Sequence, residues 1–458
     1  MTEVKKILDS DLAPFHKYYA NGFYKKALKS LDNLDQKFPN NSVLLTLGGN
    51  CYFNLAQYKL AISCYDEAIR INPNNADGFN SKANALEKLR KFEEAISCAT
   101  KAIEIKPDFD LAYYNLGINA MHLRLFDLSK KSFDTAIQLR PNFAKYKFSK
   151  SILFLLYGDF MNGWPLFESR WEMDVLFSPK LKSTRPIWSR NTNSKLLVWP
   201  EQGIGDQINY SSLLPNLNGK CSDLIVILDP RLINLYTRSM GAFCTFYPDN
   251  MNESKLDYDE HIAMGSLCQY FRANENDFES SRYGFLKDDV VKTAHIKKNI
   301  LSIAPLNNKL CGISWGSSSK SDIHKTIPLK SFIELLDLKD YTYVSLQYGD
   351  TADEISEVRD ELGVDIISYE EVDNFYDIDG LTSLIQACDI VISIDNLTCQ
   401  LSGALGKKTH LLLTYGGGWW GWMADGSNSP WYHSVKIYRQ NADENLSNLF
   451  LKLKEGLD

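Results

Sequence analysis

Two patterns of apolar positions divide the chain. Over roughly its first third, apolar residues recur with helical spacing, and each helical stretch ends at a proline. These prolines stand 34 residues apart, at Pro39, Pro73, Pro107 and Pro141. Aromatic residues lie 15 positions before each proline and alanines lie 12 positions before three of them, at Tyr24, Tyr58, Phe92, Phe126, Ala27, Ala61 and Ala95. A fixed period of this length predicts an α-solenoid, in which each helical hairpin buries its apolar face against the next.

From about residue 175 onward, short apolar runs alternate with amphipathic helical stretches. The runs cover residues 196–199, 224–228, 311–315, 343–347, 389–394 and 410–414. Short, mostly apolar runs of this length are typical of parallel strands that are buried on both faces. Their alternation with helices predicts doubly wound α/β sheets, and about ten strands are too many for one small sheet.

The predicted fold class is therefore α + α/β, with three domains. Residues 1–175 are expected to form the solenoid, with four repeats and a broken fifth. Residues 176–300 and 301–458 are expected to form two Rossmann-like domains, separated by the polar, lysine-rich stretch 286–308. Ligands are expected in the cleft between these two halves, where the carboxyl ends of the strands open.

Both ends of the solenoid depart from the repeat pattern. The first unit contains Pro14 and is interpreted as a capping repeat, whose outer face meets water and need not match the others. In the fifth unit, Pro165 interrupts the second helix. The spacing of Trp164, Phe167 and Trp171 places them on one helical face, which we expect to be buried at the junction with the next domain.

Composition narrows the classes of function. The 458 residues carry a net charge of −7 with a pI near 5.6, which argues against nonspecific nucleic-acid binding. No apolar run approaches the roughly 20 residues that a membrane-spanning helix needs. The charged N-terminus lacks the apolar region of a secretory signal, so we expect a cytoplasmic protein. The nine cysteines include no CxxC pair, which argues against a zinc site and a disulfide framework.

The first strand-to-helix turn, with the sequence EQGIGD, contains the first candidate site. Gly203 and Gly205 permit a tight turn and close backbone approach, and Asp206 then stands at the start of the helix. Two interpretations of Asp206 are open: a helix cap that accepts from free backbone amides, or a general base that points into the cleft. The turn lacks the third glycine and the distant acid of a dinucleotide-binding fingerprint.

Two further candidates follow strands in the second half. The loop after strand 311–315 is rich in small polar residues, among them Ser317, and ends at Lys325. Such a loop either cradles phosphate oxygens or is an ordinary solvated loop. Strand 389–394 ends at Asp395, and a helix begins immediately. The free amides of that helix form an anion site, or Asp395 merely caps it.

A segment rich in glycine and tryptophan follows the last of the apolar runs. It is interpreted as a mobile lid with flat stacking surfaces. The residues assigned to this lid are Gly416, Gly417, Gly418 and Trp419. The alternative is that the tryptophans only pack the base of the domain, as we expect of Trp431 and Tyr432.

The motifs, taken in order, resemble two known families. The repeat pattern resembles the tetratricopeptide repeat (TPR), whose arrays form grooves that hold peptides or protein surfaces. The region from about 194 to 440 resembles the two-domain glycosyltransferases of the GT-B fold, and is most similar to the heptosyltransferase-like group that occurs joined to such repeats in bacteria. The segments that carry this second resemblance are GWPLFESRW, EQGIGD, HKTIPL, DNLTCQLSGALGKK and SPWY.

The resemblance implies roles for individual residues. Asp206 would be the catalytic base, and Lys325 would contact the phosphates of the donor. The implied nucleotide-sugar site comprises Gly203, Gly205, Ser317, Gln347, Asp395, Asn396, Leu397, Thr398 and Gln400. The chain departs from the group's pattern at two of these positions, where Asn396 replaces threonine or serine and Gln400 replaces histidine.

Together these features predict a metal-independent, inverting glycosyl transfer from a nucleotide-sugar, with no metal or other cofactor. Such a transfer needs a base for the acceptor hydroxyl and a cation or helix N-terminus for the leaving phosphate. The predicted acceptor is a polypeptide held in the groove of the repeats, and the resemblance implies a bacterial flagellar or surface protein. Two alternatives remain open: a TPR binding module with an inactive transferase-like domain, and a transferase acting on a glycan or lipid-linked acceptor.

Overall fold

The computed structural model describes residues 8–173, 179–252, 255–305, 309–317 and 324–457. By its contacts the chain divides into two compact units, Met1–Leu153 and Phe154–Asp458. The second unit therefore includes the segment GWPLFESRW, which the repeat pattern had placed in the solenoid. The three-domain division with boundaries at 175 and 300 stays a prediction.

The first unit is a series of helical hairpins. Its helices are α1 (Asp9–Ala20), α2 (Tyr24–Lys37), α3 (Ser42–Asn54), α4 (Tyr58–Ile71), α5 (Ala76–Lys88), α6 (Phe92–Ile105), α7 (Asp110–His122), α8 (Phe126–Leu139) and α9 (Ala144–Leu156), which runs across the boundary between the units. The second helix of each of the four hairpins begins at a predicted aromatic position and ends two residues before a predicted proline. The 34-residue period is confirmed.

Small residues let the two helices of a hairpin approach closely. A Cβ atom on Gly49 in α3 would lie 2.4 Å from the ring of Tyr65 in α4. The same contact recurs between α7 and α8, where a Cβ atom on Gly117 would lie 2.7 Å from the ring of Phe133. In both hairpins one glycine seats one buried aromatic ring, and the two glycines stand a whole number of repeat periods apart.

The second unit begins with a short helical segment and contains two parallel sheets. The segment is α10 (Phe160–Phe167), which continues as a 3-10 helix over Glu168–Glu172. Pro165 lies inside α10. Proline provides no backbone N–H for the helical ladder, which is consistent with the short length of this helix, eight residues. Trp164 and Phe167 are buried as predicted, whereas Trp171 is half-buried.

The first sheet has four parallel strands in the order β3-β2-β1-β4. Its strands are β1 (Lys195–Trp199), β2 (Asp223–Leu228), β3 (Thr245–Pro248) and β4 (Glu260–Ala263). The α-helices that accompany and follow it are α11 (Ile204–Ser211), α12 (Ile233–Met240), α13 (Cys268–Phe271) and α14 (Val290–Ile303). The lysine-rich stretch that separates the two sheets in the chain is thus mostly the helix α14.

The second sheet has six parallel strands in the order β10-β9-β8-β5-β6-β7. Its strands are β5 (Lys309–Ser314), β6 (Tyr341–Ser345), β7 (Ile366–Ile367), β8 (Ile390–Ile394), β9 (Thr409–Leu413) and β10 (Val435–Arg439). Its helices are α15 (Leu329–Leu336), α16 (Ala352–Leu362), α17 (Ile378–Ala387), α18 (Leu397–Ala404) and α19 (Leu446–Glu455). All six predicted apolar runs are strands, and the two parallel α/β sheets confirm the predicted fold class.

The strand order locates the crevices where ligands can bind. In each sheet, the next strands in the chain are added on one side of the first strand, and a later strand is then added on its other side. The connections on the two sides of this switch leave the sheet on opposite faces. This switch occurs between β1 and β4 in the first sheet and between β5 and β8 in the second. The candidate residues Asp206, Ser317 and Asp395 all follow one of these four strands. The fold therefore brings them to the carboxyl edges where doubly wound sheets bind ligands.

Candidate functional site

The glycine-rich turn leads directly from β1 into α11. The chain leaves the sheet at Trp199, and Gly203 is the residue that caps the helix. The backbone N–H of Gly203 donates to Oδ2 of Asp206 at 3.1 Å. Asp206 therefore makes the capping bond that one of its two interpretations predicts, while its half-buried side chain stays beside the cleft.

The two sheets meet where α11 faces α18. A Cβ atom on Gly205 would lie 1.9 Å from Oε1 of Gln400, so any side chain at position 205 would displace Gln400. The φ angle of Gly205 is not in the left-handed region, so this close approach, and not the backbone conformation, favours glycine here. The structure thus brings the first predicted motif against the helix that follows Asp395.

The environment of Asp206 favours its protonated form. Burial raises the pKa of Asp206 to about 7, although the hydrogen bond from Gly203 acts in the opposite direction. The carboxylates of Glu201 and Asp395 raise this pKa further. A carboxyl group with a pKa near neutral can accept and release a proton at physiological pH, as a general base requires.

Asp395 accepts three hydrogen bonds from two loops of the second sheet. Its Oδ2 accepts from Nζ of Lys325 at 2.9 Å and from the backbone N–H of Trp419 at 2.8 Å. Its Oδ1 accepts from Nε1 of Trp422 at 2.6 Å. The side chains of Asp395 and Lys325 are 3% and 18% exposed, respectively. The predicted phosphate-contacting lysine and the predicted aspartate therefore form one ion pair at the start of α18.

The first turn of α18 is fastened to the neighbouring strand β5. Oδ1 of Asn396 accepts from the backbone N–H of Cys399 at 3.3 Å, and its Nδ2 donates to Oγ of Ser314 at 2.7 Å. The hydroxyl of Thr398 donates to the carbonyl of Leu346 at 3.3 Å. The side chains of Asn396 and Thr398 thus hold the helix in place, and Leu397 between them is half-buried.

Gln347 organises the loop that carries Ser317. Its Oε1 accepts from the backbone N–H groups of Trp315 at 3.0 Å and Gly316 at 2.8 Å, and its Nε2 donates to the carbonyl of Gly316 at 3.2 Å. The backbone N–H of Ser317 donates to Oγ1 of Thr326 at 3.1 Å. Most of the predicted phosphate loop, residues 318–323, lies outside the described residues.

The predicted lid is packed in the structure. Gly416 and Gly418 have φ angles of 64° and 120°, which only glycine adopts without strain, whereas Gly417 does not have a positive φ. The ring of Trp419 packs against those of its tryptophan neighbours. Its ring centroid lies 4.8 Å from that of Trp420, 5.6 Å from that of Trp422 and 5.3 Å from that of Trp431. Trp431 and Tyr432 are fully buried, which agrees with the packing role expected of them.

A buried ion pair beside the glycine-rich turn was not predicted from the sequence. Nε and Nη2 of Arg170 donate to the two carboxylate oxygens of Glu201 at 2.6 and 2.9 Å. The only signal in the sequence was an arginine inside the aromatic segment GWPLFESRW, together with the acidic residue that opens EQGIGD. Neither position by itself indicates that the other is its partner.

Two cavities open at the carboxyl edges of the sheets. One of about 440 Å³ lies beyond β6 and β7, and its lining includes Gln347, Tyr348, Asp373, Phe375 and Tyr376. The other, of about 350 Å³, lies beyond β1, β2 and β3, and its lining includes Lys182, Trp199, Glu201, Gln202 and Asp249. Each sheet therefore has a cavity beside its candidate residues.

The described part of the chain contains neither a candidate metal cluster nor a helix that could span a membrane. Among the residues described, no three His, Cys, Asp or Glu side chains are grouped so as to hold a metal ion. None of the helices in the described ranges is long and apolar enough to cross a membrane.

Comparison with known proteins identifies the repeats. Models of the tetratricopeptide repeat match residues 49–75, 76–109 and 111–143. Protein FlbA of Caulobacter vibrioides is 27% identical over 317 residues, which are 64% of this chain and 52% of FlbA. The chain thus spans about half the length of that relative.

Solved structures match about a third of the chain with low overall similarity. MamA (residues 41 to the end) from Desulfovibrio magneticus RS-1 matches with a TM-score of 0.31 and 19% identity, over 35% of this chain and 89% of that chain. A thermophilic TPR protein of Thermus thermophilus matches with a TM-score of 0.33 and 17% identity, over 36% of this chain and 91% of that chain. The protein therefore carries N-terminal tetratricopeptide repeats, followed by an α/β region with two parallel sheets that is related to FlbA.

Proposed function

We propose that this protein is a nucleotide-sugar-dependent glycosyltransferase of the GT-B type, with a polypeptide acceptor bound by its repeats. The single observation that carries the proposal is the approach of α11 to α18, where Gly205 contacts Gln400. It places a carboxyl group of the first sheet opposite the lysine, aspartate and helix N-terminus of the second. Glycosyl transfer needs these two kinds of group on opposite sides of one site.

Asp206 is the proposed general base. It follows the strand at the switch point of the first sheet, and the pKa of about 7 allows it to take the proton from an acceptor hydroxyl at neutral pH. The capping bond from Gly203 uses Oδ2. That bond orients the carboxyl group, because it restricts rotation about the side-chain torsions.

Lys325 and the first turn of α18 are the proposed site for the donor phosphates. Lys325 is held beside this turn by its ion pair with Asp395. A cation and a helix N-terminus together offset the negative charge that develops on a departing nucleoside diphosphate. In this proposal no metal ion is needed for the leaving group, so the transfer is metal-independent. A single displacement by the acceptor hydroxyl, activated by Asp206, makes it inverting.

The cavity beyond β6 and β7 is the proposed place of the nucleoside. It adjoins the loop of Gln347, and the rings of Tyr348, Phe375 and Tyr376 provide flat apolar faces for a base. In doubly wound sheets of this strand order, nucleotides lie along the carboxyl edge with their phosphates at a helix N-terminus.

The acceptor is proposed to be a polypeptide because the first unit consists of tetratricopeptide repeats. Stacked repeats form an extended concave surface, which is larger than a single sugar and suits a chain segment. The alternative is a binding module that has lost turnover. Gln400 favours that alternative, because its side chain lies directly over the glycine-rich turn, where family members have histidine.

A panel of nucleotide-sugars and nucleoside diphosphates tests the proposal. A ligand that binds only the native state raises the melting temperature, so one member of the panel should stabilise the purified chain. The stabilising nucleotide-sugar should then be hydrolysed slowly without acceptor, and Asp206→Asn should retain the stabilisation but lose the hydrolysis. If a nucleotide-sugar stabilised the wild type without turnover, and turnover appeared only after Asn396→Thr and Gln400→His, the inactive alternative would be supported. If no nucleotide stabilised the chain, the transferase proposal would fail and the binding module would remain.

A further inference from the structure

We propose that the buried ion pair between Arg170 and Glu201 positions Asp206, and that its two opposite charges set the electrostatic field in which Asp206 takes up a proton. Arg170 and Glu201 are then positioning residues of the transfer, not catalytic ones. The inference rests on the proposed function, since it assigns these residues a part in the proton transfer by Asp206.

The ion pair is bidentate and almost completely removed from water. The side chains of Arg170 and Glu201 are 3% and 1% exposed, and their two hydrogen bonds measure 2.6 and 2.9 Å. Nη2 of Arg170 also donates to Oγ of Ser266 at 2.9 Å, and Nη1 donates to Glu168 at 2.8 Å. The guanidinium is also packed against the ring of Phe167, with its Cζ atom 4.2 Å from the ring centroid.

Glu201 connects the ends of the two strands that flank the switch point. It lies two residues after β1, and its Oε1 accepts from the backbone N–H of Gly265, two residues after β4, at 2.7 Å. A Cβ atom at Gly265 would lie 2.4 Å from the same oxygen, so glycine is needed for this approach. The chain between Glu201 and Asp206 is only four residues long. A displacement of Glu201 would therefore be passed on to Asp206.

A purely structural role does not explain why these groups are charged. Removing two charges from water is costly, and well-packed apolar side chains are often as stabilising as a buried ion pair. The charge of Glu201 reaches Asp206, since this carboxylate raises the pKa of Asp206. The guanidinium of Arg170 has the opposite sign, so in this proposal it offsets part of that effect.

The other titratable groups that face Asp206 come from the elements packed around it. Asp395, which is paired with Lys325, adds a second negative charge. The phenols of Tyr210 and Tyr432 also interact electrostatically with Asp206, and burial raises the pKa of both well above the usual range, so both stay neutral at physiological pH. Arg170 and Glu201 form an ion pair apart from the proposed donor site, and a substitution in this pair can change the local charge in either direction.

Three variants separate this role from simple support of the fold. Glu201→Gln removes a negative charge, so the pKa of Asp206 should fall and the acidic limb of the rate–pH profile should move to lower pH by about one unit. Arg170→Met leaves the carboxylate of Glu201 unopposed, so the limb should move to higher pH. The double variant restores neutrality, and its limb should return close to the wild-type position. The KM for the donor should be unchanged in all three.

Controls keep the test decisive if a variant folds poorly. Arg170→Met leaves the buried carboxylate of Glu201 unpaired and can fail to fold. Glu201→Gln keeps Arg170 paired with Glu168, and the double variant leaves only the partly exposed carboxylate of Glu168 without its cation. These two then carry the comparison with the wild type. Arg238→Met is the matched control, because it removes a positive charge from the partly buried pair with Asp379 in the same unit. Its profile should not move.

A titration of Asp206 by carboxyl-carbon NMR, assigned with Asp206→Asn, gives the same pKa without substrate. Opposite displacements in the single variants and recovery in the double variant would establish the inference. Equal displacements, or none, would overturn it even if every variant lost activity. If transfer is observed and the pKa does not move, the inference alone fails. If the pKa moves as expected but no nucleotide-sugar is ever used, the proposed function fails instead.

Discussion

The hydroxyl of Tyr432 donates a hydrogen bond to Oδ1 of Asn209. Tyr432 directly follows Trp431 and Asn209 lies in the middle of α11, so this bond joins the two segments. Both side chains are fully buried. The ring of Tyr432 also fills the space over Gly403 in α18, where a Cβ atom would lie 2.5 Å from it. Tyr432 is therefore wedged between the two helices whose approach forms the candidate site.

Tyr432→Phe should destabilise the protein without removing a candidate catalytic group. The variant keeps the ring but leaves Oδ1 of Asn209 buried without its donor, which costs about 1–3 kcal/mol. Equilibrium urea denaturation would measure the loss. Tyr438→Phe is the control. It also removes a tyrosine hydroxyl from a buried partner, but that partner is His410, inside the second sheet. A stability of Tyr432→Phe equal to that of the wild type would show that the hydrogen bond is dispensable.

Asp206→Asn should abolish glycosyl transfer while leaving the fold and donor binding intact. The amide can still accept the capping bond from Gly203, but it cannot accept a proton from the acceptor. The rate should fall by about 10²–10⁴, the range for loss of a general base. Steady-state kinetics with a saturating donor would measure it. A variant that unfolds yet retains specific activity would favour the helix-cap interpretation.

The pH dependence of rate and of stability should point to the same group. Since the pKa of Asp206 is about 7 in the folded protein, transfer should decline as the pH falls through neutrality, because the base becomes protonated. The folded state binds this proton more tightly than the unfolded state does, so stability is lost as the pH rises from about 4 to 7. Asp206→Asn should accordingly raise the melting temperature at pH 8 and change it little at pH 4. An equal effect at both pH values would contradict the raised pKa.

Lys325→Ala should weaken binding of the nucleoside diphosphate product. Because a charge-assisted hydrogen bond is lost, the free energy of binding should weaken by about 1.5–3 kcal/mol. Isothermal titration calorimetry would measure this change. Lys330→Ala is the control, since its ion pair with Glu361 is exposed at the surface. If Lys325→Ala bound every tested nucleotide as tightly as the control, Lys325 would not belong to the phosphate site.

Deleting residues 1–140 should abolish modification of a polypeptide acceptor but leave slow hydrolysis of the donor. The deletion removes four repeats and retains α9, whose last residues belong to the α/β unit. The retained hydrolysis is the internal control for folding of the truncated chain. If the truncated protein modified the acceptor as fast as the full chain, the repeats would serve assembly and the polypeptide acceptor would lose its main support.

Local pattern was sufficient for the repeats and for most of the strands. Hydrophobic periodicity and the recurring prolines are properties of neighbouring residues, so the helix positions follow from the sequence alone. The six apolar runs also follow from the sequence alone, because a strand that is buried on both faces needs mostly apolar residues at consecutive positions. Strands β3, β4, β7 and β10 were not specified, because they are short or carry polar residues such as Glu260 and Lys436.

The sequence by itself also placed Asp206, Lys325 and Asp395 after strands, where a turn or a helix begins. Only the tertiary structure decided which of them meet. The ion pair between Lys325 and Asp395 joins residues 70 positions apart, and that between Arg170 and Glu201 joins residues 31 positions apart. Such pairs depend on the order of strands in each sheet and on how the two sheets approach. Those are long-range properties, which local hydrophobic pattern does not encode.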